Sequence, residues 1–242
     1  MNLCIDQGNS STKVGVFEKN VLIEYFSFPV FGTNEIDKLL STFNIDKAIL
    51  SSVVLNNELI ISEITKCVSF FLELTHETSI PVKNQYKTPE TLGKDRLAAV
   101  VGAAFIKPNS DILVVDSGTA ITFDFIDSNK IYFGGNISPG INLRLKALHQ
   151  FTQKLPLVEV QGKKESPLLG NDTESALISG ALQGVVFEID GYIDALKIKY
   201  PQLSTFLTGG STFYFDTKLK NAIFAERNLV LIGLNQILQY NV

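Results

Sequence analysis

The chain has 242 residues, 45% hydrophobic and 19% charged, with a net charge of −4. It can build one large or two small packed domains, and its acidic balance disfavours a duplex-binding surface, which needs a basic footprint. Two cysteines, Cys4 and Cys67, argue against a disulfide framework, and two distant histidines, His76 and His149, argue against a zinc site. No signal peptide is visible and no apolar run approaches the roughly 20 residues of a bilayer span, so a cytoplasmic chain without membrane or nucleic-acid partners is expected.

The first elements read as a strand from Leu3, then strands Val14–Phe17 and Leu22–Phe26 around a Glu18-Lys19-Asn20 turn. A helix is predicted near Asn34–Phe43, a strand at Ala48–Leu50, and a helix over Glu58–Leu72. Pro81 and Pro89 make Ile80–Leu92 extended or loop-like, and Leu92–Phe105 carries helical apolar spacing. Pro108-Asn109-Ser110 is the candidate linker, giving an N-terminal lobe of 1–108 and a C-terminal lobe of 109–242.

After the linker the order repeats. Strands are expected at Ile112–Val115, Thr122–Ile126 and Ile131–Phe133, then a helix at Ile141–Phe151. A long helix follows over Thr173–Lys199, with Asn171 and Glu174 in a capping-box relation. Gly180 and Gly184, four apart in that helix, suggest close packing within the chain or at a subunit interface. Strand Thr205–Leu207 and a last helix near Leu229–Leu238 complete an α/β chain of two related lobes, which can hold a ligand in a cleft between them.

The chemistry sits at the repeated points. Asp6, Gln7, Gly8, Asn9, Ser10, Ser11, Thr12 and Lys13 follow the first apolar run. Such a turn offers N–H groups and hydroxyls to a phosphate, with Lys13 as a cation and Asp6 as a Mg²⁺ ligand. A plain hairpin turn explains the segment equally well taken alone. Asp116, Ser117, Gly118 and Thr119 follow the second apolar run, and this second copy favours phosphate binding. With no lysine there, this face suits a cation or a terminal phosphate.

Gly93-Lys94-Asp95-Arg96 opens a helix. Asp95 is a candidate proton acceptor for an alcohol and Arg96 a candidate carboxylate grip; the bland reading is a helix-start acid beside a surface arginine. Gly134-Gly135-Asn136-Ile137-Ser138-Pro139-Gly140 reads as a sharply turned loop, and Thr208-Gly209-Gly210 as a turn with a plausible nucleotide contact. Tyr86 is set between two prolines and can anchor a loop.

These five motifs, taken in chain order and nearly end to end, resemble the type III pantothenate kinases of the acetate kinase, sugar kinase, Hsp70 and actin superfamily. The resemblance implies two ribonuclease H-like lobes, an actin-like ATPase fold, and ATP-dependent phosphorylation of pantothenate on its primary hydroxyl. It implies that Asp6–Lys13 and Thr119 bind ATP with Mg²⁺ and that Asp95 accepts the proton. It further implies that Tyr86, Gly93, Lys94, Asp95, Arg96 and Thr173 contact pantothenate, Thr173 from the partner side of a homodimer. Asp116 would bind a monovalent cation, K⁺ or NH₄⁺. A related small-molecule kinase and a non-catalytic regulator are the competing readings; the intact Asp6, Asp95 and Asp116 argue against the second.

Overall fold

A computed structural model describes residues 1–8, 10–53, 58–160, 166–210, 215 and 218–242. They divide into two compact units. The first comprises Met1–Asn109, Asn129–Phe133 and Asn228–Val242; the second comprises Ser110–Ser128 and Gly134–Arg227.

The first unit is built on β1 (Asn2–Gln7), β2 (Thr12–Glu18), β3 (Val21–Phe28), β4 (Lys47–Ser52) and β5 (Phe70–Glu73), in the order β3-β2-β1-β4-β5. Strand β1 pairs antiparallel with β2 and parallel with β4. Leu3, Cys4 and Ile5 are fully buried, because successive residues point to opposite faces and both faces of β1 are covered. On one face, Leu3 and Ile5 join Ile36 and Leu39 of α1 (Thr33–Thr42) and Ile60 and Ile64 of α2 (Glu58–Cys67) in one core. The unit also holds α3 (Lys94–Ile106) and α6 (Leu229–Tyr240), which pack on each other, with α6 also against β1, β2 and β4.

Buried Asn235 fixes the register of α6. It donates to the carbonyl of Lys19 at 2.8 Å and accepts from Asn2 Nδ2 at 2.8 Å. The division expected at 108/109 assigns this last helix to the second lobe. The structure assigns it to the first unit, because α6 packs on α3 and against β1, β2 and β4.

The second unit contains β7 (Ile112–Ser117), β8 (Ala120–Ile126), the part of β9 (Ile131–Pro139) from Gly134 on, β10 (Ser204–Thr208) and β11 (Phe224–Ala225), ordered β11-β10-β7-β8-β9. The two units repeat one plan: a central strand with an antiparallel partner from the next strand and a parallel partner from a later one. In the first unit, two-residue β6 (Lys83–Asn84) pairs with Ile131 and Tyr132 at the start of β9. The second unit adds α4 (Ile141–Gln150) and α5 (Thr173–Lys199). Leu177, Ile178, Leu182, Val185, Ile189 and Ile193 of α5 pack into its core.

Three expectations change. The helix over Glu58–Leu72 stops at Cys67, and Phe70–Leu72 instead pair parallel with Lys47–Ile49; an edge position in the sheet outweighs the local helical pattern. The capping box of α5 is Asp172 with Ser175, Asp172 Oδ1 accepting the Ser175 amide at 2.8 Å. Gly134–Pro139 is strand, not a turned loop: without a side chain, Gly135 lets β9 lie against the carbonyl of Phe123 on β8. Within this chain Gly180 has open space beside it, whereas a Cβ at Gly184 would lie 3.4 Å from Arg144 Nη1. By length and composition α5 is also long and apolar enough to cross a membrane, but Leu177, Ile178, Leu182, Val185, Ile189 and Ile193 are buried in the core just described.

Candidate active site

In the first unit, Asp6 is the penultimate residue of β1, opposite Lys13 on β2 and Ser51 on β4. A carboxylate so placed sits at the C-terminal end of parallel strands, where α/β sheets bind ligands. The turn beyond it is held by Gly8 N–H donating to Ser11 O at 3.1 Å. Gln7 and Thr12 are buried, Gly8, Ser11 and Lys13 half-buried, and Ser10 exposed. Asn9 lies outside the described residues.

Gly93-Lys94-Asp95-Arg96 starts α3 as expected, with Gly93 at the cap. Asp95 Oδ1 accepts the Arg96 amide at 2.8 Å, which fixes the carboxylate in the first helical turn. Lys94 Nζ reaches the carbonyl of Ser52 at 3.3 Å, at the end of β4. The bland reading of Arg96 as a surface residue is corrected: it is 6% exposed. Its guanidinium lies 5.7 Å from the centre of the Tyr86 ring, and Tyr86 stacks on Tyr132 at 6.4 Å. Arginine suits such a place because its planar cation is weakly hydrated and stacks on aromatic faces. Thus the first unit brings together Tyr86 and Arg96, and links Lys94 to the strand beside the Asp6 turn. The same pairing of β6 with β9 that sets Tyr132 also sets Tyr86, through Gln85 N–H on the carbonyl of Tyr132 at 2.9 Å.

In the second unit, Asp116 occupies the matching place, penultimate in β7, opposite Thr122 on β8 and Thr208 on β10. Gly118 and Thr119 form an exposed turn, and Gly140 N–H donates to Thr119 O at 3.0 Å. Gly209 adopts φ +93°, and a Cβ there would run into Asp116 Oδ1 and the carbonyl of Ser117. The two oxygens therefore converge where only glycine leaves room, an environment that fits a hard monovalent cation. Among the described residues no cluster of three or more His, Cys, Asp or Glu could hold a metal. Single carboxylates fit a Mg²⁺ ion held mainly through nucleotide phosphates and water. Thr173 is exposed at the first position of α5.

Sequence reasoning missed Ser51, Ser52 and Tyr132. Ser51 and Ser52 follow the buried run Ala48–Leu50, and polar residues closing a buried strand were the available signal.

The model of the type III pantothenate kinase family matches residues 2–195. The chain belongs to the type III pantothenate kinase family. It is 49% identical over 241 residues to the type III pantothenate kinase of Phocaeicola vulgatus, covering 100% of this chain and 99% of that one. Among solved structures it is similar to a Campylobacter jejuni chain described as a Baf family transcriptional activator, with TM-score 0.65, 24% identity and coverage of 99% and 98%. It is also similar to the inorganic polyphosphate/ATP-glucomannokinase of an Arthrobacter strain, with TM-score 0.51, 13% identity and coverage of 99% and 98%. At such identities these structures speak to fold alone, and the fold is the actin-like ATPase and sugar kinase fold.

Proposed function

We propose that this chain transfers the γ-phosphoryl group of ATP to the primary hydroxyl of pantothenate, forming 4'-phosphopantothenate, the first step towards coenzyme A. The observation that carries the reading is local to the first unit: the helix bearing Asp95 begins beside the end of the strand pair that presents the Asp6 turn. Family membership supplies the substrate.

In this reading Asp6, Gln7, Gly8, Asn9, Ser10, Ser11, Thr12 and Lys13 hold the ATP phosphates, with Thr119 as a further phosphate contact. Mg²⁺, bound with the nucleotide and reached from Asp6, supplies charge neutralisation at the phosphates. Asp95 orients the alcohol and takes its proton. A carboxylate suffices because in a loose phosphoryl-transfer transition state the protein mainly positions groups and stabilises charge. Tyr86, Gly93, Lys94 and Arg96 hold pantothenate, Arg96 facing its carboxylate in a bidentate pair sheltered from water. Thr173 contacts pantothenate across a homodimer, and Asp116 holds K⁺ or NH₄⁺. The enzyme works in the cytoplasm.

The test is ADP release by purified chain with Mg-ATP and K⁺. Release that depends on pantothenate is expected. Release that ignores pantothenate, or that follows a sugar acceptor instead, would refute the substrate.

A further inference from the structure

Ser52 closes β4 and is 8% exposed. Its hydroxyl donates to Gln7 Oε1 at 2.8 Å, and Gln7 is itself 7% exposed. Its carbonyl accepts Lys94 Nζ at 3.3 Å. Ser52 is the register partner of Gln7, and the next amide, Val53, donates to Gln7 O at 3.1 Å. One residue is therefore gripped from two sides: by the residue that opens the Asp6 turn and by the residue that precedes Asp95. A buried amide oxygen without its donor is costly, so the Gln7 side chain is held where Ser52 holds it.

We propose that Ser52 is a positioning residue that couples the Asp6–Lys13 turn to the Gly93–Arg96 segment. This rests on the reading of those two segments as the nucleotide and acceptor sides of one reaction. The ordinary alternative is a strand-end serine that satisfies one buried glutamine and nothing more. The two differ in reach. A local serine affects only its neighbours on β1; a coupling serine affects the start of α3 as well.

Amide hydrogen exchange of the full chain, without any ligand, separates them. Ser52→Ala should speed exchange at Gly8 and Ser10–Thr12 and also at Lys94–Leu97, while α6 of the same unit stays as in wild type. Faster exchange confined to the β1 side, or spread evenly through the unit, overturns the coupling. In turnover, Ser52→Ala should lower kcat roughly tenfold, the scale of one buried hydrogen bond, and Ser52→Thr, which keeps the hydroxyl, should recover most of it. If Ser52→Ala does not fold, Ser52→Cys, of similar size with a weak donor, is measured the same way. The exchange experiment uses no substrate. Absence of pantothenate-dependent turnover in wild type would therefore sink the activity and leave the coupling to be judged by exchange.

Discussion

Asp95→Asn separates a chemical role from a structural one. Asp95 Oδ1 accepts the Arg96 amide at 2.8 Å in the first turn of α3. Asparagine keeps an oxygen at that point, so the contact survives. What disappears is a negative charge at a helix N-terminus, worth about 0.3–1 kcal/mol. For a chain of this size that is a Tm shift of about 1–4 °C. Loss of a proton acceptor costs roughly 10²- to 10⁴-fold in turnover, or about 2.7–5.5 kcal/mol of barrier. The catalytic effect therefore exceeds the folding effect several-fold. The assay pairs a thermal melt with steady-state ADP release and an ATP-binding titration. A near-native melt, unchanged ATP affinity and a kcat lowered at least roughly 10²-fold are expected. Wild-type turnover in the folded variant would refute the reasoning and move the proton acceptor elsewhere. A collapse of the melt would assign Asp95 to stability.

Asp116→Ala should blunt activation by K⁺, read as ADP release against K⁺ concentration; an unchanged K⁺ response contradicts the cation assignment. Gly209→Ala should destabilise by about 2 kcal/mol or more, since alanine at positive φ is strained and its Cβ meets Asp116 Oδ1; an unchanged melt contradicts the geometry of this turn. Burial pushes the Cys4 thiol well above its ordinary pKa, so it stays protonated and shielded, whereas Cys67 is exposed. A thiol reagent near pH 8 should label one cysteine in the native chain and two in denaturant; two labels without denaturant would contradict the burial of β1.

The repeated acid-and-glycine turns were legible because a buried strand ending in a carboxylate is a strong local signal. Asp6 and Asp116 do occupy matching places in two sheets of one plan. Residues 70–72 were not legible as a strand, because Phe70, Phe71 and Leu72 continue the apolar spacing of α2 and only the edge of β4 decides their fate. The membership of α6 in the first unit depends on Asn235 meeting Lys19 and Asn2, contacts more than 200 positions apart in sequence. Arg96 looked like a surface residue because nothing near it in sequence reveals the Tyr86 ring that covers it. Ser52 carried no motif; its meaning comes from the register that sets it beside Gln7.

The most direct test of the central claim is the identity of the product. Purified chain, Mg-ATP, K⁺ and pantothenate should yield ADP and, by ³¹P NMR, a phosphomonoester on the primary hydroxyl of pantothenate in equal amount. ADP formed with inorganic phosphate and unmodified pantothenate would contradict it.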